Sequence, residues 1–320
     1  MELKEKILRR LESVRGEYVS GEQLAGECGV SRNAVWKCIR ALGADGVKLS
    51  SVRNRGYALL AESDALTACG IEKFLHSPFS LKVVKLTGST NDEVKALAEA
   101  GAPAWTAVLA EEQSAGRGRY RRPFDSPAGA GLYLSVLLRP KFSAAETLFV
   151  TACAAVAVCE AIGEVARKYA EIKWVNDVFL DGKKVCGILT EASFDVESGG
   201  LASVVVGVGV NVKYREFPKE LAGIAGTVFR EGEYPSEGRA KLAAAILEKL
   251  RFYCEHIPER TFYAEYKRRS FVIGRRVKVL SGSLEEEADV LDLDENCFLR
   301  VRLADGSERL LSAGEVRIML

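Results

Sequence analysis

The spacing of apolar residues in the first sixty positions predicts three helices followed by a hairpin. Leu3, Ile7 and Leu11 would line the buried face of a first helix. Ser20 and Gln23 have the spacing of a capping box, which places the start of a short second helix at this point. Two short apolar runs then predict a pair of strands joined by a polar tip.

The predicted third helix has a sharply divided surface. It begins after Ser31, and Val35, Ile39 and Leu42 recur at the spacing of a buried face. The side chains left to contact bases and phosphates are Ser31, Arg32, Asn33, Trp36, Lys37 and Arg40 on the helix, and Arg53 and Arg55 at the hairpin tip. This order indicates a winged helix-turn-helix that binds DNA, although a three-helix module with a solvated basic face gives the same pattern.

Strands and helices alternate through the middle of the chain. Strands are predicted at 81–87, 106–111, 131–139, 171–174, 177–180, 185–192 and 202–212, and helices at 91–100, 144–168, 238–256 and 258–269. Because several strands follow one another without a helix between them, the sheet should be mixed or largely antiparallel, and not doubly wound.

Only short strands are predicted after Phe271, with turn sequences between them. These strands are expected at 276–280, 287–293, 298–303, 308–312 and 316–319. About fifty residues of this kind predict a small β-barrel. The chain is therefore predicted to be multidomain α+β, with a winged helix-turn-helix at 1–62, a mixed-sheet α/β domain at 63–270 and a β-barrel at 271–320.

The composition argues against several kinds of chemistry. The net charge of +1 means that the whole molecule is not a polyanion binder. The eight cysteines form no CxxC pair, so a zinc site or a disulfide framework is not expected. With only two histidines, a Ser-His-Asp or Cys-His nucleophile is poorly supported. The charged start and the short apolar run at 148–159 predict a soluble, cytoplasmic protein without membrane contact.

The segment at 116–135, GRGRYRRPFDSPAGAGLYLS, is the most informative part of the chain. It begins with Arg117, Arg119, Arg121 and Arg122 set among glycines and ends in an apolar strand. Glycine allows a ligand to approach the backbone, and guanidinium groups supply forked donors for carboxylate or phosphate. We therefore expect an anion-binding loop, with a basic surface loop as the alternative.

Three further segments offer groups that a ligand could use. The sequence GSTN at 88–91 precedes a predicted helix, whose free N–H groups could face a polar ligand. Thr90 and Glu93 have the spacing of a capping box, which predicts that they pair at the start of this helix. The sequence KWVND at 173–177 leads into a hairpin whose return strand carries Lys184. Glycines alternate along the strand at 206–211, which leaves room for a flat ligand. Taken singly, each segment also fits an ordinary helix start, a solvated hairpin or a plain strand.

The motifs AGRGR…SPAGAGLYLS, KWVND and KKVCGILTE, in this order, resemble those of the biotin–protein ligases. The resemblance covers nearly the whole chain and extends to the winged helix of members that also repress biotin genes and to their SH3-like C-terminal domain. It implies that ATP, with Mg²⁺, activates biotin to biotinyl-5′-AMP, which then acylates a lysine of a biotin carboxyl carrier protein. It also implies operator DNA as a partner and a homodimer when the adenylate is bound.

The resemblance further implies a role for each residue of the motifs. Lys184 is expected to be the main catalytic cation, with Arg117 and Arg119 beside it, and Asp177 to orient or deprotonate the carrier lysine. Asn211 is expected to read adenine. The expected biotin-binding residues are Ser89, Thr90, Asn91, Gln113, Gly116, Arg117, Lys184, Gly187 and Gly207. The expected ATP- or adenylate-binding residues are Arg119, Arg121, Arg122, Lys173, Asn176 and Asn211. The resemblance assigns no metal ligand.

The arginine segment departs from the family's usual Gly-Arg-Gly-Arg-Arg-Gly-Arg at Tyr120 and Arg121. Phe124 replaces a usual Trp, and Val175 replaces a usual Pro. These departures keep every expected catalytic group but change the loop that should retain the adenylate and support dimerisation. Two alternatives stay open: a biotin-sensing regulator without ligase activity, and a lipoate-type acyl ligase.

Overall fold

The computed structural model describes residues 2–140, 146–194, 200–281, 284–312 and 314–318. Its first part consists of three helices and a hairpin, as the sequence predicts. These elements are α1 (Leu3–Ser13), α2 (Gly21–Cys28), α3 (Arg32–Ala44), β1 (Leu49–Val52) and β2 (Gly56–Leu59). The hydroxyls of Ser20 and Ser31 accept backbone hydrogen bonds of 3.0 and 3.2 Å, so both predicted N-caps are confirmed.

A seven-stranded sheet forms the centre of the molecule, with the order β3-β4-β5-β9-β8-β7-β6. Its strands are β3 (Ser80–Thr87), β4 (Thr106–Gln113), β5 (Gly131–Leu138), β6 (Glu171–Lys173), β7 (Asp177–Leu180), β8 (Lys183–Phe194) and β9 (Leu201–Asn211). β3 and β4 are parallel, and the other neighbouring pairs are antiparallel. The prediction of a mixed, largely antiparallel sheet is confirmed.

Helices cover both faces of this sheet. The helices of this region are α4 (Ala68–Glu72), α5 (Thr90–Glu99), α6 (Thr147–Ala166), α7 (Gly238–Glu255) and α8 (Tyr263–Arg269). On β4, Val108 packs with α5, whereas the next residue, Leu109, packs in the core shared with α6 and α7. The alternation of strand side chains therefore places α5 alone on one face.

Helix α6 is long and apolar enough to span a bilayer, but most of it is buried in the core. It is the one such helix within the described ranges. Residues 144 and 145, where the sequence predicts this helix to begin, lie outside those ranges. The predicted helix at 258–269 is shorter than expected, because turns occupy the chain up to Phe262.

The C-terminal strands form an antiparallel sheet with the order β13-β12-β11-β10-β14. They are β10 (Arg276–Ser281), β11 (Leu284–Leu293), β12 (Leu299–Leu303), β13 (Glu308–Leu311) and β14 (Glu315–Ile318). Within the described residues, the two outer strands do not pair with each other, so the predicted closed barrel is not confirmed. Residue 319, the predicted end of the last strand, lies outside the described residues.

Candidate active site

The face of the large sheet that α5 covers also carries a cleft beside the start of that helix. Gly187, Gly207 and Gly209 form its floor, and Gly187 and Gly209 are cross-strand partners. A Cβ at Gly207 would collide with Oδ1 of Asn91. The side chains of Asn91 and Phe124 fill the space directly above Gly207 and Gly209, so a flat ring system can lie against β8 and β9 beside Asn91 once the Phe124 ring moves aside.

Hydroxyl and amide groups form a fixed network at one end of this cleft. Oε1 of Gln113 accepts hydrogen bonds of 2.9 and 3.1 Å from the backbone N–H and the hydroxyl of Thr90. The hydroxyl of Ser135 lies 2.7 Å from Oγ1 of Thr90 and 2.6 Å from Oδ1 of Asn91. The Asn91 amide donates to Glu191 at 2.6 Å. These buried polar atoms are positioned before any ligand arrives.

The start of α5 is not held by a capping box, although the helix begins where the sequence predicts. Ser89 is the N-cap residue and makes no side-chain capping hydrogen bond. Glu93 instead accepts hydrogen bonds from Nζ of Lys82 (2.8 Å) and Oγ1 of Thr87 (3.0 Å) on β3. The predicted pairing of Thr90 with Glu93 is therefore wrong, because a neighbouring strand supplies competing partners.

The arginine segment forms a short hairpin over the cleft. A backbone hydrogen bond of 2.8 Å from Gly118 N–H to the Arg122 carbonyl closes it. Tyr120 and Arg121 at its tip both have a φ of 56°, in the left-handed region that favours glycine. The two departures from the family motif therefore fall where the backbone is least suited to them.

Two of the arginines form ion pairs with distant parts of the chain. Arg117 pairs with Asp92 in the first turn of α5, with one contact of 2.6 Å. Its hydrogen bonds hold the pKa of Asp92 below the usual range. Arg122 donates a hydrogen bond of 2.9 Å to Glu315 of β14 and makes a second ion-pair contact with it at 2.7 Å. Burial alone would raise the pKa of Glu315, but the bonds from Arg122 outweigh it, so the pKa is lowered.

Further cationic side chains lie near β7, which pairs with β6 on one side and with β8 on the other. Nζ of Lys184 lies 2.6 Å from Oδ1 of Asp177. Arg119 donates to Oδ1 of Asn176 at 3.3 Å and to the carbonyl oxygen of Gly314, just before β14, at 3.0 Å. Burial lowers the pKa of Lys173, the cross-strand partner of Asp177. In the part of the chain that the structure describes, the Lys173 ammonium has no ion-pair partner, so it is available to an anion.

The structure brings most of the predicted site residues to this one cleft. Those that line it are Ser89, Thr90, Asn91, Gln113, Arg117, Arg119, Arg122, Lys173, Asn176, Asp177, Lys184, Gly187 and Gly207. Three do not line it. Gly116 shapes the hairpin, because a Cβ there would lie 2.7 Å from the Phe124 carbonyl oxygen. Arg121 is exposed at the tip, and Asn211 is buried at the end of β9.

Phe124, Gly209 and Glu315 line the cleft but are not among the predicted site residues. The ring of Phe124 covers Gly209, where a Cβ would lie 2.6 Å from it, and stacks edge-on against Tyr133 at 6.4 Å. Gly209 belongs to the same alternating glycine pattern as Gly207, so that pattern could have revealed it. Glu315 comes from the separate C-terminal sheet, and no local sequence signal connects it with the cleft.

The predicted DNA-binding surface is exposed. Its residues, all of them exposed, are Ser31, Arg32, Asn33, Trp36, Lys37, Arg40, Arg53 and Arg55. Trp36 is 46% exposed, and the Arg40 guanidinium lies 5.2 Å from its ring. Arg55 packs over Tyr18 at 4.3 Å. The hydroxyl of Ser31 caps α3, so this residue has a structural role as well.

No group of three or more His, Cys, Asp or Glu side chains that could hold a metal ion occurs within the described ranges. The cysteines there are free, six of them buried. The cleft therefore offers cationic and polar groups to a ligand, together with the carboxylates of Asp177 and Glu315.

Comparison with known proteins agrees with this arrangement. Residues 83–211 match the Biotin/lipoate A/B protein ligase family, residues 4–58 an HTH domain, and residues 272–319 the Biotin protein ligase C terminal domain. The chain is similar to the bifunctional ligase/repressor BirA of Bacillus subtilis, with 32% identity over 97% of both chains. It is also similar to BirA of Escherichia coli, with 30% identity over 84% of both.

A solved structure shares the fold of about three quarters of the chain. The biotin protein ligase from Aquifex aeolicus in complex with biotin and ATP is 28% identical, with a TM-score of 0.63, covering 75% of this chain and 98% of that one. The three sequence matches follow one another in the order of the DNA-binding, ligase and C-terminal parts. This chain therefore belongs to the family of bifunctional biotin ligase/repressors.

Proposed function

We propose that this protein joins the carboxylate of biotin to the α-phosphorus of ATP and transfers the biotinyl group to a lysine of a biotin carboxyl carrier protein. The observation that supports this best is a single cleft in which a glycine floor, a fixed hydroxyl and amide network and several cations meet. The floor fits the fused rings of biotin, and the network fits their polar head. The cations, Arg117, Arg119, Lys173 and Lys184, fit the carboxylate and the phosphates.

The first step brings two anions together. A carboxylate oxygen of biotin attacks the α-phosphorus, the bond to the bridging oxygen breaks, and pyrophosphate leaves. Negative charge accumulates around phosphorus, so fixed cations lower the barrier more than a proton-transfer group would. Lys184 is the group that we assign to the carboxylate and the α-phosphate, and Arg119 and Lys173 to the phosphates.

The second step requires a neutral amine. The carrier lysine attacks the carbonyl carbon of biotinyl-5′-AMP, the bond to the phosphate oxygen breaks, and AMP leaves. Asp177 accepts the proton of the lysine. In the free protein this carboxylate is paired with Lys184 at 2.6 Å. When Lys184 turns to the adenylate, Asp177 is released for the incoming amine, so one ion pair links the two steps.

Mg²⁺ accompanies ATP in this proposal and neutralises part of its phosphate charge. Within the described residues, no set of three candidate ligands is arranged for a metal. The ion would therefore enter with the nucleotide, and the nearby carboxylates of Asp177 and Glu315 could contact its water shell.

We also propose the finer organisation that accompanies this activity. The boundaries are at 62 and 270, the C-terminal strands are an SH3-like domain, and the protein acts in the cytoplasm. The adenylate-bound form is a homodimer that presents two copies of α3 to operator DNA and represses transcription. Removal of residues 1–60 is expected to abolish operator binding, as measured by fluorescence anisotropy, and to leave pyrophosphate exchange intact.

Acid-dependent pyrophosphate exchange tests the ligase proposal. The protein is incubated with ATP, Mg²⁺ and labelled pyrophosphate, together with biotin, lipoate or octanoate. Exchange with biotin and little with the other two acids is expected. Exchange with lipoate or octanoate in preference would favour an acyl ligase, and no exchange with any acid would favour a sensor. Either outcome would contradict the proposal.

A further inference from the structure

The segment that follows β9, residues 212–227, runs beside the cleft and is fastened at both of its ends. Near the start, Nζ of Lys213 lies 2.5 Å from Oδ2 of Asp64. Near the end, Lys184 N–H donates to the Ile224 carbonyl at 2.8 Å, and Gly226 N–H donates to the Lys184 carbonyl at 2.9 Å. The far end of this segment is thus tied to the proposed catalytic lysine.

One side chain in the middle of this segment contacts the arginine loop, which is the part of the arginine segment that precedes β5 (residues 116–130). Nη1 of Arg215 donates to Oδ2 of Asp125 at 2.6 Å. The side chain of Arg215 is only 15% exposed and that of Asp125 36% exposed, so water screens the pair less than it screens an exposed pair. The Arg215 guanidinium also lies 4.2 Å from the ring of Phe217, which limits its freedom to swing away.

Asp125 lies between two residues that reach the floor and the polar end of the cleft. The ring of the preceding residue, Phe124, covers Gly209. The hydroxyl of the following residue, Ser126, accepts a hydrogen bond of 3.0 Å from Gln113. A displacement of Asp125 would therefore be transmitted to both neighbours, and through them to the walls of the cleft.

We propose that the Asp125–Arg215 ion pair is a positioning contact that makes the arginine loop and the 212–227 segment open and close as one unit. This inference rests on the proposed function, and its consequence is retention of biotinyl-5′-AMP between the two steps. Neither residue lines the cleft, so the pair acts through the segments that it joins. When the pair is broken, either segment opens alone, and the intermediate escapes more often.

The test compares D125N, R215M and the double variant D125N/R215M with the unaltered protein. Each is loaded with labelled biotin and ATP, and the release of labelled biotinyl-5′-AMP is followed after a chase with unlabelled ligand. Each single variant is expected to release it about tenfold faster, the usual size for loss of a charged hydrogen bond. The double variant should release it no faster than the singles, because all three lose the same contact.

Two measurements separate coupling of the loops from a general structural effect. The rate of pyrophosphate exchange at saturating substrates by D125N and R215M should stay within about twofold of the rate of the unaltered protein. The exchange rate of D181N should stay within the same limit. Asp181 pairs with Arg230 on the exposed surface, which makes D181N the matched control. D125E keeps a carboxylate and should restore slow release.

Three results would overturn the inference. They are unchanged release from D125N and R215M, additive effects in the double variant, or release from D125E as fast as from D125N. If the unaltered protein forms no biotinyl-5′-AMP at all, the proposed function fails and this inference fails with it. If it forms the adenylate and the variants release it at the same rate as the unaltered protein, this inference alone is wrong.

Discussion

Lys184, Arg117 and Arg122 each have a carboxylate partner before any ligand is bound: Asp177, Asp92 and Glu315 respectively. At these three cations, ligand binding is therefore an exchange of anionic partners, whereas Lys173 and Arg119 have no carboxylate partner to give up among the described residues. Each exchange loses one ion pair for the one that it gains, so its net contribution to binding is smaller than that of an unpaired cation. It also frees a carboxylate, which the second step can use.

Burial lowers the pKa of Lys173 by more than the nearby charges of Asp177 and Glu315 raise it. The sign follows directly. A lysine with a lowered pKa loses its charge at a lower pH than usual, so anion binding weakens as pH rises through that lowered value. In the free enzyme, kcat/KM for ATP should therefore decline at a pH below the usual range of lysine.

K173R is the variant that tests this expectation. Its guanidinium stays charged throughout the accessible range, so the alkaline decline in kcat/KM for ATP should disappear or move to higher pH. K183R, the same change at an exposed lysine that does not line the cleft, is the control and should keep the decline of the unaltered protein. A profile for K173R that matches the unaltered protein would show that Lys173 is not the titrating group.

At the scale of elements, the arginine hairpin carries two consecutive non-glycine residues in the left-handed region. Each such residue costs on the order of 1 kcal/mol. Arg121 is exposed and makes no contact with the cleft, so its side chain can be removed without loss of a binding group. The cation–π contacts of Tyr120 with Arg119 and Arg122 offset part of its own strain.

R121G is accordingly expected to stabilise the closed hairpin by about 1 kcal/mol and to slow release of biotinyl-5′-AMP about fivefold. The chase experiment measures this rate directly. R121A keeps the backbone restriction and removes the same charge, so it is the matched control and should not slow release. If R121A slows release as much as R121G, the charge of Arg121 and not its φ would be responsible.

The sequence predicts the elements that depend on local pattern. The helices of the DNA-binding part, the hairpin and the mixed sheet follow from apolar spacing and from N-cap residues such as Ser20 and Ser31. Contacts between distant segments do not follow from it. Glu93 prefers Lys82 and Thr87 of β3 to a capping interaction, and Glu315 reaches the cleft from another sheet. Such partners are decided by tertiary packing, which a local pattern does not contain.

At the scale of the whole molecule, Arg239 joins the segment that follows the DNA-binding part to the large sheet. It is 3% exposed and donates to Asp64, which follows β2, and to Glu111 of β4. Its neighbour Gly131 provides a further carbonyl oxygen at 3.3 Å. Burial would lower the pKa of Arg239, but the bonds and charges of Glu111 and Asp64 outweigh it and raise the pKa. The guanidinium therefore stays charged.

R239M would leave the largely buried carboxylate of Glu111 without its cation and that of Asp64 with Lys213 alone. A loss of about 3–5 kcal/mol in the free energy of unfolding is expected, seen as a lower Tm in calorimetry. R230M removes an arginine that is 70% exposed, and its free energy of unfolding should change by no more than about 0.5 kcal/mol. Equal Tm values for the two variants would contradict the role given to the buried network.

Transfer of labelled biotin to a purified biotin carboxyl carrier domain is the most direct test of the central claim. It requires both chemical steps and compares the unaltered protein with K184A and K183A, which remove adjacent lysines of which only Lys184 lines the cleft. K184A should lower the single-turnover rate by at least about 100-fold, since it loses a cation at the reacting groups, and K183A should not. A K184A rate within a few-fold of the unaltered protein, or no biotin transfer by the unaltered protein, would contradict the account.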